Sequence, residues 1–288
     1  MSWATTQDQY RLHYEEAGTG TPILFVHEFA GDWRAWEPQM RHFSRRHRCI
    51  TYSARGYPPS DIPQDGNAYS QAHAVQDALA VMDAAGVDKA HIVGLSMGGF
   101  ATIHFGLTAP DRALSLTVAG AGYATEKSTQ EHYRALSRET ARKFETIGAK
   151  ALAETYTLGT TRVQLQNKDP RGWLEFKTHF GEHDSLGSAH TMRGVQASRP
   201  SIYDFEAQLR QLKVPMLVIN GDEDDQCLLP GLFLKKTVPA CGLLMLPKTG
   251  HTINLEEPDW FNLFLANFIA TVEAGRWGAR DPRSLSSH

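Results

Sequence analysis

The motif G-L-S-M-G-G at residues 94–99 constrains the fold of this 288-residue chain more than any other feature. It follows the short apolar run 90–93 and precedes a helix-like segment, 100–108. A strand, a small-residue turn and a helix in this order hold a serine in a sharp turn above the edge of a sheet. The glycines two positions before and after Ser96 lack Cβ atoms, so strand and helix can approach each other closely. The motif therefore predicts an α/β fold that presents the Ser96 hydroxyl at a strand end.

Apolar runs alternate with helical patterns along most of the chain. Strands are expected at 10–15, 23–26, 49–53, 90–93, 114–119, 216–220 and 243–246, and helices at 33–46, 70–85, 100–108, 231–238 and 256–273. This alternation predicts a mostly parallel, doubly wound sheet with helices on both faces.

The region 123–212 breaks the alternation, because it contains helical patterns at 128–147 and 169–180 but no convincing strand. A block of this length between two strands predicts a helical insertion, or cap, over the strand ends where α/β sheets bind ligands. The predicted domains are a core formed by 1–122 and 213–288, a cap formed by 123–212, and a flexible tail at 275–288.

Composition and charge indicate which binding partners and which cellular environment to expect. The net charge is only −3, so a nucleic-acid partner is not expected, and 41% hydrophobic residues allow a substantial core. Three cysteines without a C-x-x-C spacing indicate reduced thiols in a cytoplasmic protein. No apolar run approaches the ~18 residues that span a bilayer, and the first residues do not resemble a secretory leader, so no membrane association is expected. A monomer or a small homo-oligomer fits equally well.

Candidate acid and base residues follow Ser96 along the chain. A serine hydroxyl needs a base to accept its proton, and the base needs a third group to fix its tautomer. The acid candidates lie at 222–225, directly after one predicted strand, and the base candidate is His251, directly after the last. Strand ends meet at one sheet edge, so these groups could converge on Ser96. The backbone N–H of Met97 would then face a developing oxyanion.

Three motifs together resemble the α/β-hydrolase superfamily, especially its capped esterases, lactonases and carbon–carbon bond hydrolases. They are G-L-S-M-G-G at 94–99, G-D-E-D at 221–224 and G-H-T-I-N-L-E-E-P at 250–258. The resemblance covers nearly the whole chain and is weakest across 123–212. It implies the α/β-hydrolase fold, and it implies that Asp224 is the acid, since the family places this aspartate three residues after the glycine that ends its strand.

The resemblance also points to the loop His27-Glu28-Phe29, where relatives usually carry His-Gly-X. It implies that the backbone N–H of Phe29 joins that of Met97 in an oxyanion hole. Glu28 departs from the pattern, because a carboxylate ~4 Å from an oxyanion would oppose it by about 4 kcal/mol at an effective dielectric near 20. We therefore expect Glu28 to point away or to pair with an Arg or His. A sharper hypothesis is that Glu28 recognises a substrate donor or orients the attacking water.

The resemblance implies hydrolysis of a small-molecule ester, lactone or related acyl compound, with Ser96, His251 and Asp224 as a catalytic triad and no cofactor or metal. His27, Glu28, Tyr123 and Trp173 are candidate substrate contacts. The alternatives are hydrolysis of carbon–carbon or amide-type bonds, cofactor-free perhydrolysis, or a non-catalytic ligand receptor. His179 and His183 are four residues apart on a predicted helix, but no carboxylate pattern supports a metal there, so a surface or pocket-facing pair is favoured.

Overall fold

Eight strands form one sheet in the computed structural model, which describes residues 2–284. The strands are β1 (Ser2–Thr5), β2 (Arg11–Ala17), β3 (Pro22–Val26), β4 (Arg48–Tyr52), β5 (Ala90–Leu95), β6 (Ala113–Ala119), β7 (Met216–Gly221) and β8 (Cys241–Leu246). Their order is β1-β2-β4-β3-β5-β6-β7-β8. Strand β2 is antiparallel to both of its neighbours, and all the other pairs are parallel. The mostly parallel sheet of the α/β-hydrolase fold is thus confirmed.

Six helices flank this sheet. They are α1 (Glu37–Phe43), α2 (Gln71–Ala84), α3 (Met97–Thr108), and, late in the chain, Asp225–Thr237, Ile253–Glu256 and Pro258–Glu273. One hydrophobic core joins one face of the sheet to α2, α3 and the helix Asp225–Thr237, and a second core joins the other face to α1 and the helix Pro258–Glu273. Burial on both faces explains why the central strands read as continuous apolar runs.

The chain between β6 and β7 contributes five helices and, within the described residues, no strand. They are α4 (Gln130–Tyr156), α5 (Val163–Lys168), α6 (Pro170–Gly181), α7 (Ser185–Thr191) and α8 (Glu206–Gln211). The late helices listed above are therefore α9, α10 and α11. A third apolar cluster, which includes Phe29, Met97, Phe144 and Phe180, packs α4 to α7 against the carboxyl edge of the sheet, whereas Leu209 of α8 belongs to the first core. The domain boundaries at 122/123 and 212/213 stay a prediction.

Several element boundaries differ from the sequence-based expectations. The expected helix 33–46 is a 3₁₀ turn at Trp33–Trp36 followed by α1, and 256–273 divides into α10 and α11 at Pro258. Helix α9 begins at Asp225, before the predicted start at 231, and contains Pro230 although proline disfavours helix interiors. Strand β1 was not predicted, since only Ala4 of its four residues is buried.

Trp277, near the end of the described residues, lies against the core, whereas residues 278–284 are exposed. The Trp277 indole Nε1 donates a hydrogen bond to the Ala240 carbonyl at 2.8 Å, and its ring packs on Phe268 with centroids 4.6 Å apart. Residues 285–288 of the expected flexible tail lie outside the described residues. None of the helices within residues 2–284 combines the length and the apolar character needed to cross a bilayer.

Candidate active site

The turn between β5 and α3 holds Ser96 in a backbone conformation that non-glycine residues rarely adopt. Its φ is 55° and its ψ is −109°. The backbone N–H of Ser96 donates to Ala119 O at 2.8 Å, which ties the turn to the end of β6. A Cβ on Gly94 would lie 2.1 Å from Gly98 O, and one on Gly98 would lie 2.1 Å from Val26 O. The two glycines are therefore required by close backbone approach, as the motif predicted.

His251 and Asp224 form a buried hydrogen-bonded pair at the same edge of the sheet. His251 Nδ1 lies 2.7 Å from Asp224 Oδ2, and the two side chains are 5% and 1% exposed. Burial opposes the charge on Asp224, yet the charge and hydrogen bond of His251 hold the pKa of this carboxyl below its usual range. An ionised Asp224 accepts a hydrogen bond from Nδ1–H of His251, and this tautomer leaves Nε2 as the free base. Among the acid candidates, Asp222 and Asp225 are exposed.

Ser96 and His251 line one cavity of about 540 Å³, a volume typical of small-molecule sites. A Cβ built on Gly120, the residue after β6, would lie 3.5 Å from His251 Cε1, so the imidazole sits beside the strand end that also anchors Ser96. Within residues 2–284, no direct hydrogen bond joins Ser96 Oγ to His251. Such contacts are often long in the absence of substrate and tighten only when it binds.

Glu256 fixes the loop that carries His251, a role that was not predicted from the sequence. This buried carboxylate accepts hydrogen bonds from Gly250 N at 2.6 Å, from Thr252 N at 2.9 Å and from Thr252 Oγ1 at 2.8 Å. The residues on both sides of His251 are thus held by one side chain from α10. Glu256 belongs to the motif at 250–258, but that motif does not show which way its side chain points.

The loop after β3 is held by buried hydrogen bonds. His27 Nε2 accepts from Ala54 N at 3.0 Å, so its Nδ1–H donates to Glu28 O at 2.6 Å. The Tyr57 hydroxyl donates to Phe29 O at 2.9 Å. The backbone N–H of Phe29 bonds no acceptor within residues 2–284, and that of Met97 stands at the first position of α3, where no intrahelical acceptor exists. Both N–H groups are therefore available to an external acceptor.

Glu28 pairs with an arginine, which is one of the two arrangements expected from the sequence. Arg162 Nη2 lies 2.5 Å from Glu28 Oε2, and the two side chains are 1% and 2% exposed. The Arg162 guanidinium also lies over the Phe176 ring, 4.9 Å from its centroid. Burial opposes the charge on Arg162, and the Glu28 carboxylate outweighs it and raises the pKa of the guanidinium. The pair joins the loop after β3 to the segment between α4 and α5.

Two of the four candidate substrate contacts lie in the cavity lining. Glu28 and Tyr123 line the cavity, and the Tyr123 ring packs edge-on against His251 with centroids 5.3 Å apart. The structure does not bring His27 or Trp173 into that lining. His27 is buried by its backbone contacts, and the Trp173 indole turns to the Thr157 carbonyl at 2.8 Å.

Most of the cavity wall that comes from the chain between β6 and β7 was not predicted from the sequence. The unpredicted lining residues from this region include Tyr133, Tyr156, Arg162, Met192, Gln196 and Arg199. Helical periodicity gives the existence of these helices but not the direction in which each side chain points, so no signal in the sequence marks them.

One group of potential metal ligands occurs in the described part of the chain, namely Asp224, Cys227 and His251, whose ligand atoms lie within 4.8 Å of one another. His251 Nδ1 is already bonded to Asp224, and burial together with the Asp224 charge raises the pKa of the Cys227 thiol well above its usual value. This arrangement favours a hydrogen-bonded network over metal ligation. His179 and His183 do not share a helix, because α6 ends at Gly181.

The fold and these side chains define an α/β protein with a serine-centred site at the carboxyl edge of its sheet. A family model described as the alpha/beta hydrolase fold matches residues 21–258, so the chain belongs to that family.

Individual known proteins are similar over most of their length. The chain is 25% identical to "3-oxoadipate enol-lactonase 1" of Acinetobacter baylyi, over 87% of this chain and 89% of the relative. It is 27% identical to a "2-hydroxy-6-oxo-6-phenylhexa-2,4-dienoate hydrolase" of Burkholderia cepacia, over 91% of each chain. A crystal structure of the enol-lactonase from Burkholderia xenovorans matches with a TM-score of 0.82 at 23% identity, over 93% of this chain and 99% of that one. The last similarity concerns the fold.

Proposed function

We propose that this protein hydrolyses a small carboxylic ester or lactone through an acyl-enzyme intermediate on Ser96. The observation that carries the proposal is the buried His251–Asp224 pair, joined at 2.7 Å, in the same cavity as a serine held at a φ of 55°. Membership of the α/β-hydrolase fold family and the hydrolase and lactonase names of similar proteins support this reaction class.

In the proposed mechanism, Ser96 Oγ attacks the substrate carbonyl while His251 Nε2 accepts its proton. Asp224 holds the imidazole in the required tautomer and stabilises the imidazolium that forms. The backbone N–H groups of Phe29 and Met97 donate to the oxyanion. The imidazolium then protonates the leaving alcohol, and a water molecule, deprotonated by His251, attacks the acyl carbonyl and releases the acid with Ser96 restored.

The helices between β6 and β7 act in this proposal as a cap at residues 123–212. Support comes from the cavity wall, since Tyr133, Arg162 and Met192 from this region line the same cavity as Ser96. The Glu28–Arg162 pair ties the cap to the loop that carries the Phe29 N–H. In this arrangement Arg162 neutralises the carboxylate that the sequence placed beside the oxyanion hole. The cap thereby determines both substrate access and local charge.

The experiment that tests the mechanism combines labelling with mutation. An aryl organophosphonate should add once to the protein at Ser96, as found by mass spectrometry of the digested protein. Ser96→Ala should abolish the adduct and lower turnover of 4-nitrophenyl esters by about three orders of magnitude or more. Ser137 offers a matched control, because it lines the same cavity while its hydroxyl donates to Tyr133 O, so Ser137→Ala should keep the adduct. Near-normal ester hydrolysis by Ser96→Ala would contradict the mechanism.

Carbon–carbon bond hydrolysis is the second candidate, favoured by the similarity to the Burkholderia cepacia dienoate hydrolase. The same serine, base and oxyanion donors would serve this reaction. Assaying a vinylogous diketone beside the ester series separates the two functions, because a carbon–carbon bond hydrolase should turn over the diketone at least as efficiently as the esters.

A further inference from the structure

Arg199 is a buried cation without a carboxylate partner in the cavity wall. Its side chain lines the cavity that contains Ser96, and the residue is 5% exposed. Among the ion pairs of residues 2–284, none involves Arg199, and its Nε and Nη1 atoms are buried with no acceptor. A buried charge is costly unless it is paired or hydrogen-bonded. This side chain therefore differs from Arg162, which uses its charge on Glu28.

The position of Arg199 is fixed by its surroundings. The guanidinium lies over the Phe100 ring, 3.8 Å from the centroid, on the first turns of the helix that begins just after Ser96. Its backbone carbonyl accepts from Arg134 Nη2, and its N–H donates to Val195 O at 3.1 Å. Burial lowers the pKa of this guanidinium to about 9, which still leaves it charged at neutral pH. A fixed planar cation thus lies at one wall of the cavity.

The carboxylates of the inner cavity do not satisfy this cation. Glu28 is bonded to Arg162, and Asp224 is bonded to His251. Two exposed acidic residues complete the set of carboxylates in the lining: Glu223 pairs with Lys248 and Gln164, and Asp225 forms no ion pair with Arg199 within residues 2–284. A planar guanidinium matches the two oxygens of a carboxylate better than it matches any neutral group. The missing partner is therefore best supplied by a ligand.

We propose that Arg199 binds a second, non-reacting carboxylate of the substrate, so that the protein prefers half-esters or lactones of dicarboxylic acids. This inference rests on the proposed function of Ser96 and names the substrate class of that site. In the bound state the substrate carbonyl lies at Ser96, and the distal carboxylate accepts a hydrogen bond from Arg199 Nη2, the guanidinium nitrogen that is not among the fully buried ones. Arg199 acts here as a specificity residue and takes no part in bond making.

The test compares mono-4-nitrophenyl esters of succinic, glutaric and adipic acids with neutral 4-nitrophenyl esters of equal carbon number. The native protein should prefer the half-esters, with an optimum at one chain length set by the distance to Arg199. Arg199→Met should lower the half-ester to neutral-ester ratio of kcat/KM by about 10- to 100-fold, the usual range for one charged hydrogen-bonded contact. Arg199→Lys keeps the charge but loses the fork, and it should give an intermediate ratio.

Arg193 supplies the matched control, since it belongs to the same segment but is 38% exposed and pairs with Glu145 outside the cavity. Arg193→Met should keep the native ratio. The proposal would be overturned if Arg199→Met lowered kcat/KM equally for both ester types and Arg199→Lys kept the native ratio of half-ester to neutral-ester kcat/KM. This holds whether or not circular dichroism shows a loss of folding in Arg199→Met.

A binding measurement separates failure of the subsite from failure of the proposed function. Calorimetry should show that glutarate binds the Ser96→Ala protein. Its affinity for the Ser96→Ala/Arg199→Met protein should be about 10-fold lower. If the native protein cleaves neither ester type, the ester-hydrolase proposal fails, while this measurement still tests the carboxylate subsite. Equal glutarate affinity in both proteins would overturn the subsite itself.

Discussion

A single carboxylate determines where the candidate base stands. Glu256 accepts three hydrogen bonds from the residues that flank His251, and all four groups are buried. Loops are usually the most mobile parts of a fold, whereas a base must stay within hydrogen-bond reach of its nucleophile. Glu256 is thus a positioning residue that acts through His251.

Replacing Glu256 with Gln should impair turnover more than substrate binding. The amide keeps one acceptor oxygen and turns an N–H₂ group towards backbone donors, so at least one buried N–H loses its partner. We expect a loss of about 1–3 kcal/mol in the free energy of unfolding. We also expect a fall in kcat of about 10-fold, with KM changed much less, because the loop no longer holds the imidazole in place. Steady-state kinetics over a range of pH and urea unfolding measure the two effects.

Glu257→Gln is the control for this experiment. Its carboxylate pairs with Lys168 at 2.6 Å near the surface, where such pairs contribute about 1 kcal/mol or less. The kcat of the Glu257→Gln variant should stay close to that of the native protein. Equal losses of kcat in the two variants would show that Glu256 has no special effect on His251.

The chemistry of single residues was predictable where it follows from chain order. Ser96 was identified from its local motif, and His251 and the acid candidates from their places after predicted strands. These residues lie close together because the carboxyl ends of parallel strands share one edge of the sheet. Glu256, Arg162 and Arg199 were not predictable, because their roles depend on side-chain directions that the sequence pattern does not give: Glu256 lies on a short helix, and the two arginines lie in connecting segments.

At the level of elements, the Glu28–Arg162 pair connects the loop after β3 to the connection between α4 and α5. Both side chains are nearly inaccessible, so each charge depends on the other for compensation. Breaking one partner of a buried pair leaves an uncompensated charge, whereas removing both can be nearly neutral. The pair therefore couples the docking of the helical segment to the charge beside Phe29.

Arg162→Met should lower the free energy of unfolding by about 3–5 kcal/mol, because it leaves the Glu28 carboxylate buried and unpaired. The double variant Glu28→Gln/Arg162→Met should recover a large part of this loss, since neither charge then remains. Activity on neutral esters should follow the same order, because an unpaired carboxylate beside the N–H of Phe29 would oppose an oxyanion. Urea unfolding and ester kinetics of the three proteins measure the coupling.

An exposed pair provides the comparison for Arg162. Arg171 and Glu175 lie one helical turn apart on α6, with side chains 91% and 63% exposed. Arg171→Met should change the free energy of unfolding by about 0.5 kcal/mol or less. If the double variant at 28 and 162 were as unstable as Arg162→Met alone, the loss would come from packing rather than from charge.

The elements themselves were largely predictable where one physical signal dominates. Each of the seven predicted strands is present. Six of them, β3 to β8, take part in parallel pairing and were recognisable as apolar runs, whereas β2 is antiparallel and partly exposed. The sequence was least informative where signals compete. Helix α9 begins at Asp225 and continues through Pro230, although a helix was predicted only from residue 231. In α4, Gly148 has a φ of 78° and interrupts the helix directly after the predicted end at 147, and a second helical stretch continues to Tyr156.

Across the whole molecule, burial of neutral histidines makes acid stability a property of the entire fold. Burial lowers the pKa of His91 and of His104 to about 4, and that of His183 to about 3. In each case the unfolded chain binds a proton near pH 6.5, whereas the folded protein does not. The unfolded state therefore binds more protons below that pH, so the free energy of unfolding falls as the pH falls.

His183 allows this linkage to be tested at one position. It packs between the rings of Tyr57 and Phe180, with centroids 5.1 and 5.2 Å away, and neither of its ring nitrogens has a hydrogen-bond partner within residues 2–284. The loss of unfolding free energy caused by His183 is absent above pH 6.5 and grows as the pH falls from 6.5 towards 3, by up to about 1.4 kcal/mol per pH unit.

His183→Phe removes the titrating group and keeps an aromatic ring. Between pH 7.5 and pH 5, this variant should therefore lose about 2 kcal/mol less unfolding free energy than the native protein. Urea unfolding at the two pH values measures the difference, and His132→Gln, which changes an exposed histidine, should lose as much as the native protein. Parallel losses in the native protein and His183→Phe would mean that protonation of His183 does not contribute to acid unfolding.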